Sequence, residues 1–192
     1  MRFGPTLRTF AVAAVAGFAF GAADQYLGSR AALGAWAPAV STTSAPWLVL
    51  PFVAGCTQVR SRRAMLIGLV TTMAALAGYF ALMWSPLEGV AAGQVLPHLP
   101  ALLGTQWLNI VGGLVTAPLF GLLGQRWRVR RSWLAAALVV AALCLEPFAR
   151  LATGRLWGPP VVSWLEALVG ALFAAYFVFE RLSRDRRLAT RP

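Results

Sequence analysis

The segment RSRRAMLIGLVTTMAALAGYFALMW, residues 60–84, decides the architecture of this chain. From Ala64 to Trp84 it carries no charged side chain, and three arginines stand just before it. A helix needs about 20 mostly apolar residues to cross the hydrocarbon core of a bilayer. This segment has them, and its arginines mark the end that stays in the cytoplasm. Comparable runs cover about 8–28, 46–59, 105–125, 132–151 and 162–181. The run at 46–59 is short and contains Pro51, so it either begins earlier or follows an interfacial stretch. The opening MRFGPTLRTFAVAAVAGFAFGAAD has Arg2 and Arg8 before an apolar core and small residues at Ala22 and Ala23, much like a signal peptide. We count it as the first span.

The expected fold is therefore all-α. It is a polytopic membrane protein with one transmembrane domain over residues 1–192, a six-transmembrane-helix bundle with both termini cytoplasmic. Composition agrees: 59% of residues are hydrophobic and 12% charged, with a mean hydropathy of +0.69. A soluble domain carries about a quarter charged residues. All 17 basic residues are arginine, which fits GC-rich codon usage. The net charge of +11 would suggest nucleic acid in a soluble protein. Here it reads as orientation in a cell membrane and contact with anionic lipid headgroups, with no nucleic-acid partner. Cytoplasmic termini put 14 arginines inside (2, 8, 60, 62, 63, 126, 128, 130, 131, 181, 184, 186, 187 and 191) and only Arg30, Arg150 and Arg155 outside. Cys56 and Cys144 lie in apolar runs without metal-ligand spacing and read as small packing residues.

With sides assigned, the few polar groups gather toward the outer half. Asp24 and Gln25 end the first span, Asn109 opens the fourth, Glu146 and Arg150 end the fifth, and Glu166 opens the sixth. A carboxyl in hydrocarbon costs several kcal/mol unless something holds or uses it, so each acid is a candidate functional residue. Helical spacing gives their direction. Asp24 shares a stripe with Gly17 and Gly21, Glu166 with Gly170 and Ala174, and Asn109 with Gly112, Gly113 and Thr116. Small residues mark the close-packed side of a membrane helix, so these groups should aim inward. The expectation is one polar site in a dry cavity, covered by the long proline-containing connections 29–45 and 85–104.

No phosphate loop, HExxH, CxxC, nucleophile elbow or aspartate-rich DDxxD is present, so no metal or cofactor is indicated. Carboxyls, aromatics and a dry cavity remain. A neutral carboxylic acid in an apolar pocket can act as a general acid, and aromatic faces attract cations. Together they suit protonation of an alkene or epoxide followed by carbocation cyclisation of a lipophilic substrate entering from the bilayer. Asp24, Glu146 and Glu166 are the candidate acids. Gln25, Tyr26, Trp47, Trp84, Trp107, Asn109, Trp164 and Phe173 are the candidate substrate-binding residues. Plainer readings stand beside these. Asp24 could cap a helix end, and Glu146 could pair with Arg150 four residues on, although Pro147 should distort that turn. Glu166 has no partner adjacent in sequence. Glu88 and His98 read as loop residues, Glu180 and Asp185 as part of a cytoplasmic tail, and the tryptophans, Trp157 included, as an interfacial belt.

The segments GAADQYLGS at 21–29, SAPWLVLPFVAG at 44–55, YFALMWSPLEG at 79–89 and ALCLEPFAR at 142–150 resemble small actinobacterial membrane proteins. Within these, the resemblance is to integral membrane sesquiterpene cyclases of the drimentine and indole-terpenoid type. It implies metal-independent, proton-initiated cyclisation of a farnesylated indole or related prenylated compound, with the acids at Asp24, Glu146 and Glu166. Two other readings stay open. Substrate-binding components of energy-coupling-factor vitamin transporters are also six-span proteins, and their docking stripe could be Ala13, Ala14, Ala16 and Gly17. The third is a membrane scaffold whose acids only pair helices.

Overall fold

The computed structural model describes residues 5–89, 95–154 and 159–189. Arg2, Arg155, Trp157 and Arg191 fall outside these residues, as do the side chains of His98, Arg184, Asp185, Arg186 and Arg187. Among the described residues seven α-helices follow one another: α1 Pro5–Ser29, α2 Trp36–Ser41, α3 Ala45–Cys56, α4 Ser61–Met83, α5 Val95–Arg130, α6 Trp133–Ala152 and α7 Pro160–Ala189. Single 3-10 turns lie at Ala31–Leu33 and Pro86–Glu88, and there is no strand among the described residues. Five of the helices contain a segment long and apolar enough to cross a membrane: Leu7–Ser29, Ser61–Met83, Gln106–Arg130, Trp133–Ala152 and Pro160–Ser183. Val12, Val15, Leu119, Leu172 and Phe179 stand exposed along them. Such outward apolar faces need lipid, and the chain is a membrane protein.

The run expected at 46–59 is the 12-residue helix α3. At 1.5 Å per residue it spans only about 18 Å, short of the roughly 30 Å hydrocarbon core. The connection expected before it contains α2, so the chain makes a broken helix there, interrupted at Thr42–Ser44. Two expectations from proline need correcting. α5 starts well before 105 because Pro97 falls in its first turn, where a missing N–H is no loss. α6 runs straight through Pro147, and the turn still carries a Glu146–Arg150 contact of 3.1 Å.

Lipid tails are as apolar as leucine, so helices here associate by close packing and not by hydrophobic burial. Glycines make that possible. Gly17 meets the Thr71 carbonyl, Gly21 that of Ala75 and Gly78 that of Phe18, bringing α1 and α4 together in parallel, almost backbone to backbone. Gly55 and Gly124 serve α3 and α5 in the same way, while Gly68 and Gly121 serve the antiparallel pair α4 and α5. These four helices form a core. α6 and α7 pack chiefly on each other, and join the core through Phe52, Trp127, Val139, Leu143 and Phe177.

The helix ends sort chemically. The start of α4 and the end of α5 are tied by Gln125 Nε2 donating to Val59 O at 2.8 Å. Arg128 donates to Cys56 O at 3.0 Å, Arg131 pairs with Glu180, and the Arg131 and Arg181 guanidinium groups cover Trp127 and Trp133. Glu180 is thus an ion-pair partner built into the bundle. This is the arginine-rich end; Asp24, Glu146 and Glu166 lie at the other.

A side chain at Gly21 has no room against the α4 backbone. Gly21→Val should therefore destabilise the detergent-solubilised protein by about 1–3 kcal/mol, read as a lower thermal midpoint. Gly104→Ala meets nothing within 4 Å and should leave the midpoint unchanged.

Candidate functional site

At the acidic end α1, the α2–α3 break, α4 and α5 enclose a cavity of about 420 Å³. Asp24 comes from α1 and is buried. The Trp47 indole lines the cavity beside it. Trp47 lies edge-on to Phe20 at 5.3 Å and to Tyr79 at 6.2 Å, and Tyr79 in turn to Phe80 at 5.6 Å. Thr72, Leu76, Tyr79 and Phe80 form one face of α4 and all line the cavity. Facing them on α5 are Gln106, Asn109, Gly112, Gly113 and Thr116. Gly112 leaves its wall open, since a Cβ there would touch nothing within 4 Å.

Polar groups ring this space. Asn109 Nδ2 donates to Gln106 Oε1 at 2.6 Å. Ser41, Thr42 and Thr43 donate their hydroxyls to the carbonyls of Pro38, Ala39 and Val40, which keeps their oxygens available as acceptors. Thr72 is buried and its hydroxyl has no partner. Non-helical backbone at membrane depth is tolerated where it lines a cavity, and the Thr42–Ser44 break does so.

The expected single cluster of acids is not formed. Asp24 is the only carboxyl lining the cavity among the described residues. Glu146 and Glu166 lie on the α6–α7 side and share Arg150, which reaches Glu146 Oε1 at 3.1 Å and Glu166 Oε2 at 3.0 Å. The partner of Glu166 is therefore found across the helix hairpin, 16 residues away. Glu146 also accepts from the backbone N–H groups of Ser44 and Ala45, each at 2.5 Å. Position follows from chain geometry: Glu146 and Arg150 share one face at the end of α6, and Glu166 sits in the first turns of α7 opposite them.

Of the candidate substrate-binding residues, Trp47 and Asn109 line the cavity with Asp24. Gln25, Tyr26, Trp84, Trp107, Trp164 and Phe173 do not. Tyr26 lies under the Arg30 guanidinium at 5.0 Å, and Trp84 stacks on Phe80. Trp107 and Trp164 are exposed, while Phe173 packs against Phe177 beside the α6–α7 core. Glu88 is not a free loop acid; it accepts from Ser29 Oγ at 2.6 Å and ties the ends of α1 and α4 together. The residues missed from the sequence are Ser41–Ser44, Thr72, Tyr79, Phe80 and Gln106. The spacing of Thr72, Leu76, Tyr79 and Phe80 was a usable signal, because it repeats the pattern that marked Asn109, Gly112 and Thr116. Among the described residues no three His, Cys, Asp or Glu side chains gather as metal ligands.

Comparison of the chain with models of protein families, with curated proteins and with solved structures gave no match.

Among the described residues Arg150 is the only cation between two nearly buried carboxylates. Arg150→Met should cost about 3–5 kcal/mol, seen as a fall in the thermal midpoint in detergent. Adding Glu166→Gln to that variant should recover part of the loss.

Proposed function

We propose that this chain is a multi-pass cell-membrane enzyme that cyclises a lipophilic prenylated substrate, such as a farnesylated indole, by protonating it from Asp24. α1, the broken pair α2–α3, α4, α5, α6 and α7 make six crossings, with both termini and the arginine-rich end in the cytoplasm. The observation that carries the reading is Asp24 itself: one carboxyl facing a cavity walled by Trp47, Tyr79 and Phe80. The volume, about 420 Å³, lies within the range of small-molecule sites, about 300–1,000 Å³.

In the reaction, neutral Asp24 gives its proton to a terminal alkene carbon, and the π electron pair forms the new C–H bond. The tertiary cation left behind is shielded from water and faced by aromatic rings. An internal alkene attacks it to close a ring, and loss of a proton to the Asp24 carboxylate returns a neutral isomer and the neutral acid. Ser41–Ser44, Gln106, Asn109 and the unpartnered Thr72 hydroxyl would hold the polar end of the substrate. Glu146 and Glu166, engaged with Arg150, support the fold in this scheme and no longer stand as proton donors.

A second reading is favoured by the same polar ring: hydroxyl and amide groups around the cavity also suit the bound solute of a transporter component. Against it, Ala13 and Gly17 of the proposed docking stripe are buried, and Gly17 is taken up against α4. A pure scaffold would need no cavity with a carboxyl facing into it.

Membranes containing the protein should convert a farnesylated indole to cyclised isomers of unchanged mass, resolved by chromatography and NMR, with or without EDTA. Asp24→Asn should lower turnover by about 10²–10⁴-fold, the usual worth of a general acid, with the thermal midpoint kept. Gly112→Leu, filling the cavity, should abolish it. Full turnover by Asp24→Asn would discard the assignment, and binding without conversion would favour the transporter reading.

A further inference from the structure

The cavity wall at Ser41–Ser44 belongs to the broken helix, yet it is held from outside the four-helix core. A helix start leaves amide N–H groups without partners. At the start of α3 those are few: Pro46 has no N–H, and Trp47 N donates to Ser44 O at 3.1 Å. The Ser44 hydroxyl makes no capping hydrogen bond. That leaves the amides of Ser44 and Ala45, and Glu146 of α6 accepts from both, one with each carboxylate oxygen. Negative charge at a helix N-terminus is favourable in its own right. Arg150 then fixes the carboxylate of Glu146, and Glu166 fixes Arg150 from α7. Ser44, whose amide is held, itself lines the cavity next to Ser41, Thr42, Thr43 and Trp47. A direct chain of contacts thus runs from α7 through α6 to the wall that carries Trp47.

We infer that Glu146 is a positioning residue for the cavity, fixing the Ser41–Trp47 wall by capping α3 from the α6–α7 hairpin. It makes the hairpin a brace for the site, although none of the described hairpin residues lines it. The inference rests on the proposed site only in taking this cavity as the place where ligand binds. Its test needs no substrate, so the two can fail separately.

The probe is the charged reagent trimethylammonium-ethyl methanethiosulfonate, applied to the detergent-solubilised protein so that both ends are reached, and the reporter is Gly112→Cys in a Cys144→Ala background. Cys56 stays as an internal control, its thiol donating to Gly124 O at the opposite end of the bundle. Peptide mass spectrometry reads the two thiols apart. Glu146→Ala removes both acceptors and should raise the modification rate at position 112 by about tenfold, the worth of about one to two hydrogen bonds. Glu146→Gln keeps one acceptor and should give an intermediate rate, with the Cys56 rate unchanged in both. Rates at position 112 within about twofold of the parent in both variants would overturn the inference. So would a rise at Cys56 in step with position 112, since that reports general loosening. If Glu146→Ala does not fold, Glu146→Gln alone decides by the same two readouts.

Discussion

A helix that breaks inside an apolar bundle exposes amide hydrogens where no water can reach them, and much of this structure follows from how that is met. The interruption at Thr42–Ser44 separates α2 from the twelve residues of α3. It also turns backbone and hydroxyl groups toward a cavity. Glu146 meets the requirement with a single carboxylate, which in turn requires Arg150, which in turn is shared with Glu166. Removing three charges from water is costly, and the ion pairs and amide hydrogen bonds offset it, while Arg150 Nε and Glu166 Oε1 stay buried without a hydrogen-bond partner. A polar network at the acidic end is thus the consequence of a break in one helix.

The rest of the bundle is assembled by contact at close range. Glycines let α1 lie on α4, α3 on α5 and α4 on α5 with main chains touching. The hairpin α6–α7 has no such seam with the core. It is held by side chains, through the Glu146 network at one end, Val139 and Leu143 of α6 packed in a cluster with Phe52, and the aromatic and arginine cluster of Trp127, Phe177, Arg131 and Glu180 at the other. That asymmetry separates a rigid four-helix unit, which carries the cavity, from a two-helix brace that sets one of its walls.

The functional reading draws on the same division. Of the four acids described at this end, Glu88, Glu146 and Glu166 are occupied in holding helices, and Asp24 faces open space beside aromatic rings. Glu146 has both carboxylate oxygens engaged by protein donors, and Glu166 has one, its Oε1 being buried without a hydrogen-bond partner. Asp24 has the Trp47 indole beside it and a cavity of about 420 Å³ in front of it. Facing that cavity, more than burial or position along the chain, sets Asp24 apart from the other acids.

The sequence by itself determined the solvent in which this protein folds, because apolar runs such as 64–84 can be satisfied only in lipid. It determined that the chain is all-helical, and it fixed the inward faces: Asp24 follows Gly21 by three residues, and Asn109 precedes Gly112 and Thr116 at helical spacing. Tertiary structure alone decided which acids meet. Glu166 finds Arg150 across a hairpin, and Glu146 finds two amides about a hundred residues earlier in the chain. Helical periodicity gives the direction of a side chain around its own axis but says nothing of which neighbouring helix stands there. For that reason the face of Asp24 was legible, while its isolation from the other two acids was not.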